Sequence, residues 1–391
     1  MENVWPEAAL WLGFAFLSAI ISIRVAVSVA LIEIMVGAVA GNLVGLALTD
    51  WVNFLAGFGA ILLTFLAGTE IDARVVRRHF WSSMTIGVVG FLAPYIGVLL
   101  YARYAVGWSW PEAQIAGIAL STTSVAVVYA VMIDTGFNKT EIGKIILAAC
   151  FVNDLGTVLA LGIVFAHYDA TLFLFGGATA LTLWLLWRFA PRFFKRCRHR
   201  VSEPEMKFVL LVLFGLGGLA AAARSEAVLP AYLVGMALAP IFLADPDLSR
   251  RTRVVAFTVL TPFYFLKAGS LVDVYAVLVS FGLITVFLAV KMATKFVGIL
   301  PLTLYHRFDR REGMYTTLMM STGLTFGTIS ALFGLTNGII DQTKYTILVT
   351  AVIGSAVVPT LIAQTWFQPA FKSVADSPEP PIEVAKESGN V

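Results

Sequence analysis

Charge is what this sequence has least of. Asp, Glu, Lys and Arg make up 13% of its 391 residues and hydrophobic residues 59%, with a mean hydropathy of +0.86. An ordinary soluble domain carries about 25% charged residues, so the shortage excludes a chain that folds in water and indicates an integral membrane protein. The net charge of +3 is small, and no basic run with interleaved aromatics occurs, so no nucleic-acid partner is expected. Cysteine is scarce too: Cys150 lies in an apolar stretch and Cys197 in a basic loop. Two such residues build neither a disulfide framework nor a metal-ligand spacing, and both are expected to be reduced and structural. The opening "MENVWPEAAL" lacks the basic region and small-residue cleavage site of a signal peptide, so the first apolar run is expected to be a retained helix. No Gly-rich dinucleotide fingerprint follows a strand, and no cofactor is expected.

Long apolar runs, by contrast, fill the chain. A helix needs about 20 apolar residues to cross the hydrocarbon core, and about thirteen such runs can be placed. They fall near 8–22, 25–47, 53–70, 81–103, 112–132, 141–166, 170–188, 207–223, 228–243, 252–272, 275–304, 313–335 and 343–367. Lys and Arg should collect in cytoplasmic loops. With the N-terminus outside, one set of loops takes Arg24, Arg74, Arg77, Arg78, Lys139, Lys144, the group from Arg188 to Arg200, Lys207, Arg250, Arg251, Arg253, Arg307, Arg310 and Arg311. The tail adds Lys372 and Lys386, while the opposite loops hold only Arg103, Arg224 and Lys344. A miscounted span would scramble this asymmetry, so the expected topology is a multi-pass protein of the cell inner membrane with a cytoplasmic C-terminus. The polar, proline-containing tail over 371–391 is expected to be disordered, leaving 1–370 as the transmembrane domain.

A few ionisable residues lie inside the runs. Each costs roughly 2.5 to 3.5 kcal/mol at a helix centre and needs a partner, a water-filled cavity or a function. Asp154 sits near the middle of its run, too short to reach either surface. Asn153 beside it offers a carbonyl acceptor and amide donors that could complete a cation's shell. Lys291 and Lys295, four residues apart, share one helix face, and either could pair with Asp154 as an acid and base couple that a competing cation displaces. Lys267, near the outer end of its run, is expected to reach toward the headgroups, and Glu33 to join two helices.

Two runs carry polar interruptions at their centres: Ser121, Thr122, Thr123 and Ser124 in the fifth, and Ser321, Thr322, Gly323, Gly327, Thr328 and Ser330 in the twelfth. Small and hydroxyl residues can mark close helix packing. Paired interruptions in corresponding positions of two halves also mark broken helices around a transporter's midplane site, where hydroxyls and freed carbonyls suit a hard monovalent cation. The two runs are an odd number of spans apart and so run in opposite directions. This is the pattern of inverted repeats, with runs four to six matching eleven to thirteen.

Several segments now carry a resemblance. "VALIEIMVGAVAGNLVGL" has Glu33, Gly37 and Gly41 of a glycine-rich family helix, with Ala or Ser in place of its usual proline; "GAILLTFLAGTEID" ends at Glu70 and Asp72; "AYLVGMALA", "TPFYFLKAGSLVD" and "KFVG", with Lys295 and Gly298, follow in order. Over about residues 8–367 the chain resembles the monovalent cation:proton antiporter superfamily, in its bacterial sodium/proton or potassium/proton branch. The resemblance implies an all-α membrane fold of thirteen helices with two crossing broken helices. It implies a dimerisation scaffold with a mobile core, the core over about 53–166 and 252–367, and a homodimer. Carried over by position, Asp154 matches the family's essential carboxylate and would bind Na+ or K+, and Asn153 matches the variable residue before it. Thr123 and Ser124 match the broken-helix hydroxyls, and Lys295 the basic residue of a later core helix.

The implied activity is exchange of Na+ or K+ for H+, with elevator-like alternating access. Lys295 would hold Asp154 when neither ligand is bound and so set the pH at which exchange turns on. Members with Asn at position 153 tend to be electroneutral, which gives that expectation here, although they commonly carry Arg where this chain has Lys295. The chain is not expected to be an enzyme: an intramembrane aspartyl protease needs two catalytic aspartates, and one is present mid-run. A channel needs a selectivity filter, which is not visible. The alternative is a Na+-coupled organic anion symporter on a related fold.

Overall fold

The computed structural model describes residues 4–25, 28–71, 78–135, 137, 140–165, 170–197, 200, 202–223 and 227–369. The tail over 371–391, and loop residues such as Asp72, Arg74, Arg77, Lys139 and Arg224, lie outside them. The described residues are helical almost throughout. In chain order the helices are α1 (Val4–Val25), α2 (Val29–Leu43), α3 (Asp50–Thr69), α4 (Phe80–Leu100), α5 (Trp110–Ser121), α6 (Val125–Asp134), α7 (Glu141–Val164), α8 (Ala170–Cys197) and α9 (Pro204–Ala222). There follow α10 (Val228–Ala244), α11 (Pro246–Val255), α12 (Thr261–Ser270), α13 (Val274–Val279), α14 (Phe281–Tyr305), α15 (Arg310–Met320), α16 (Thr325–Thr336) and α17 (Gln342–Ile362). Among the described residues, nine helical segments are long and apolar enough to cross a membrane, and α2 and α10 are shorter apolar helices.

The surface is inverted relative to a soluble protein. Trp5, Phe16, Phe173, Leu174, Trp184 and Trp187 are exposed, while Asn153, Asp154, Lys291 and Lys295 are buried. Lipid accepts the first set at no cost, and the second must find partners within the protein. The segment Arg310–Thr336 is the most enclosed of the nine, with 89% of its apolar window buried against 11% for α1. The interrupted twelfth run is thus at the centre and α1 at the rim.

Polar residues at the water boundary start these helices. Ser109 and Glu112 form a reciprocal cap on α5, with the Ser109 amide donating to Glu112 Oε2 at 2.7 Å. Asp309 and Glu312 repeat it on α15, at 2.9 Å. Each such cap satisfies amides that the first turn leaves unbonded.

Small residues bring helices into backbone contact. On α10, Gly235 packs so closely on α3 that an added Cβ would lie 2.9 Å from the Cα of Gly68. Small residues are how membrane helices gain van der Waals contact without a hydrophobic driving force. Gly235→Val is therefore expected to destabilise the protein by about 1–3 kcal/mol, the typical range for overpacking, read as a lower melting temperature in detergent. Gly176→Val, where an added Cβ meets nothing within 4 Å, should leave that temperature unchanged.

Glu33 departs from expectation. It is 3% exposed, yet among the described residues it has no hydrogen-bond or ion-pair partner, so it does not tie helices together through polar contacts. Contact between α2 and α12 comes instead from Gly37 against the backbone of Leu266 and Gly269 against that of Ile34.

Candidate functional site

The fifth and twelfth runs are each two helices. Between α5 and α6 the backbone is extended at Thr122, with φ −62° and ψ 151°. Between α15 and α16, Leu324 has φ −149° and ψ −73°. A helix that stops in a membrane leaves carbonyls unbonded, each costing several kcal/mol in hydrocarbon, and hydroxyls at both breaks take them up. Ser121 Oγ donates to Ile118 O at 2.8 Å and Thr122 Oγ1 to Ala119 O at 3.1 Å. In the other break Ser321 Oγ donates to Thr317 O at 2.7 Å and Thr322 Oγ1 to Met319 O at 2.8 Å. The Ser-Thr pair seen in both runs is thus a helix stop.

The two breaks cross in contact. The Ser124 amide donates to Thr322 O at 2.9 Å, and Thr123 Oγ1 donates to Met320 O at 2.7 Å. Glycines permit the approach: a Cβ on Gly327 would lie 2.8 Å from Ala119 O, and one on Gly323 would lie 2.9 Å from Thr122 Oγ1 and 3.1 Å from Ser355 Oγ.

Both lysines of α14 are fully buried and point into this crossing. Lys291 Nζ donates to Ser355 Oγ at 2.8 Å and to Thr122 O at 3.3 Å. Lys295 Nζ donates to Thr123 Oγ1 at 3.0 Å. An ammonium at the C-terminal end of α5 faces the negative end of that helix dipole, a favourable arrangement.

On α7, Asn153 Oδ1 accepts the Thr123 amide at 2.9 Å and Nδ2 donates to Ser121 O at 3.4 Å, so this side chain ties α7 to the first break. Asp154, next in sequence, is 1% exposed, and its Oδ1 has no hydrogen-bond partner. Among the described residues no salt bridge joins it to Lys291 or Lys295; both ammoniums bond oxygens of the crossing instead. A buried carboxylate oxygen without a donor needs explanation. A proton on that oxygen or a bound cation would each supply it.

Ser124 is fixed mainly through its backbone; its Oγ receives one long bond, from the Val127 amide at 3.5 Å. The structure therefore gathers Thr122, Thr123, Ser124, Asn153, Lys291, Lys295, Thr322, Gly323 and Gly327 into one contact network, with Asp154 beside it and bonded to none of them. Three residues not singled out from the sequence join the site. Ser355 of α17 receives Lys291, Met320 Sδ lies 3.6 Å from Cys150 Sγ, and Tyr232 of α10 donates from its hydroxyl to Phe151 O at 3.1 Å. The ring of Tyr232 also meets Phe326 edge-on, with centroids 6.0 Å apart. Among the described residues no group of three or more His, Cys, Asp and Glu could hold a metal together. The oxygens of the crossing are hydroxyl, amide and carbonyl oxygens, a set that suits a hard monovalent cation.

Glu70, which follows α3, bonds Arg253 of α11 at 2.7 Å, which ties Glu70 to the polar helix after α10.

The fold and this centre define a polytopic helical membrane protein with two interrupted helices crossing beside a buried carboxylate. The chain belongs to the sodium/hydrogen exchanger family, whose transmembrane profile matches residues 12–369. Probable Na(+)/H(+) antiporter 3 of Methanocaldococcus jannaschii is 24% identical over 344 residues, 83% of this chain and 88% of that protein. Cation/H(+) antiporter 15 of Arabidopsis thaliana is 24% identical over 353 residues, 82% of this chain but 41% of that longer protein. The solved structure of the sodium proton antiporter MjNhaP1 from Methanocaldococcus jannaschii, at pH 8, superposes with a TM-score of 0.68 at 13% identity, covering 91% of this chain and 95% of that one. That likeness is one of fold.

Proposed function

We propose that this protein is a secondary active antiporter exchanging Na+ or K+ for H+ across the cell inner membrane, with Asp154 as the shared seat of cation and proton. The observation that carries the reading is the buried Asp154 carboxylate, with Oδ1 unpartnered beside two crossing helix breaks. One carboxylate that holds either ligand but not both couples their movements, since each must leave before the other binds. Family membership and the names of the relatives, one a Na(+)/H(+) and one a cation/H(+) antiporter, support exchange of this type.

In this proposal Thr123, Ser124 and Asn153 complete the cation's surroundings, and Thr122, Thr322, Gly323 and Gly327 keep the breaks in register. Lys295 bonds Thr123 Oγ1 while Asp154 is occupied and turns to Asp154 when both ligands have left. Lys291, bonded to Thr122 O and Ser355, steadies the crossing. Exchange is electroneutral, following Asn153, and access alternates by the core over about 53–166 and 252–367 moving against the remaining scaffold of a homodimer. In this reading the chain makes thirteen spans, with the N-terminus outside and the C-terminus in the cytoplasm, as the distribution of Lys and Arg among the loops favours. An inverted repeat is favoured by positions that keep one constant spacing: Ser109 with Asp309, Glu112 with Glu312, Ser121 with Ser321 and Thr122 with Thr322.

Proton flux in proteoliposomes, driven by Na+ or K+ in turn with and without a voltage clamp, tests this reading. Cation-driven flux that a clamped potential neither speeds nor slows is expected; flux requiring an organic co-substrate would favour the symporter instead.

A further inference from the structure

A cavity of about 220 Å³ lies between α3, α10, α12 and α16, with Asn53, Lys267, Val228 and Ile329 among its lining. Lys267 is the one charged residue in that lining among the described residues, and its ammonium has no ion-pair or hydrogen-bond partner among them. It is partly buried and faces this space between helices. The sequence alone suggested a side chain reaching for headgroups.

The cavity stops above the candidate site. Ile329 is one turn from Phe326 on α16, and Val228 one turn from Tyr232 on α10. Phe326 and Tyr232 meet edge-on, and the Tyr232 hydroxyl bonds Phe151 O, one turn from Asp154 on α7. Tyr232 and Phe326 thus lie between the cavity lining and the stretch of α7 that carries Asp154.

We propose that this cavity is the outer vestibule leading to Asp154, and that the Lys267 ammonium makes it repel cations and so limits binding from the outer face. The inference rests on the antiport reading and on the N-terminus lying outside. A fixed positive charge lowers the local cation concentration by a Boltzmann factor, which raises the apparent KM on that face alone. The exchange ratio is untouched, because Lys267 is not part of the Asp154 seat. The effect is a directional bias: the cation binds more readily from the cytoplasm than from outside.

The test compares wild type, Lys267→Gln and Lys267→Arg in right-side-out and inside-out membrane vesicles, with apparent KM for Na+ or K+ read from proton flux. In right-side-out vesicles the Gln variant should lower KM about two- to ten-fold, the range for one charge at partial screening. The Arg variant should match wild type, and inside-out vesicles should show no shift. Choline chloride, by screening the charge, should bring the wild-type KM toward that of the Gln variant. An unshifted KM with intact exchange, an equal shift on both faces, or a wild-type KM insensitive to choline chloride would overturn the role of Lys267 alone. Absence of cation-driven flux in wild-type vesicles would overturn the antiport reading itself.

Discussion

Gly327→Val is expected to abolish exchange and to lower the melting temperature in detergent. Gly327 lies on α16 where it passes the end of α5, and an added Cβ would meet Ala119 O at 2.8 Å, Val352 Cγ2 at 2.9 Å and Thr122 Oγ1 at 3.0 Å. One of these atoms is backbone and another belongs to a hydroxyl already committed to Ala119 O, so on those two sides the neighbours resist displacement. Overpacking of a close-packed core costs about 1–3 kcal/mol and occasionally more, and a branched side chain held on three sides belongs at the upper end. Function suffers before folding does. Pushing the breaks apart lengthens the Ser124 amide bond to Thr322 O and the Thr123 hydroxyl bond to Met320 O, which together set where Lys295 and Asn153 find their partners. Gly327→Ala should fall between, with a smaller drop in melting temperature and partial exchange. Melting curves paired with proteoliposome flux separate the two effects; a valine variant with wild-type flux and melting would show that the crossing tolerates separation.

Much of this centre is legible in the sequence, for reasons that differ by residue. Asp154 stands out because a carboxylate in mid-membrane is costly and demands a reason. Thr122 and Thr322 stand out because hydroxyls cluster at the centres of otherwise apolar runs, and the structure uses them to finish helices. Periodicity also puts Lys291 and Lys295 on one face of α14, as observed. Their partners are not legible. Which oxygen an ammonium reaches depends on the placement of helices remote in the chain, and Lys291 finds Ser355 on α17 and Thr122 O at the end of α5. Tyr232 is hidden for a related reason: a tyrosine in an apolar helix reads as a packing or interface residue, and only the approach of α10 to α7 gives its hydroxyl the Phe151 carbonyl. Lys267 shows the opposite failure. Its distance from the end of the run suggested a role at the headgroups, while α3, α10 and α16 pack beside it around an open-sided cavity that it lines.

The second large effect concerns Asp154. Asparagine matches its shape but carries no charge and cannot exchange a proton, so Asp154→Asn removes both the anionic ligand and the titrating group. Folding should survive. The wild-type carboxylate makes no salt bridge among the described residues and leaves Oδ1 unpartnered, so the substitution breaks no ion pair or hydrogen bond among them and relieves the burden of burying a potential charge. An unchanged melting temperature with lost transport is thus expected, which distinguishes a functional carboxylate from a structural one.

The measurement that bears most directly on this account is cation-driven proton flux through purified Asp154→Asn protein in proteoliposomes, beside wild type at matched incorporation. Flux reduced to that of protein-free liposomes, for Na+ and for K+, with the melting temperature retained, is the predicted result. Undiminished exchange of either cation for protons by the variant would contradict it and move the seat of coupling elsewhere in the molecule.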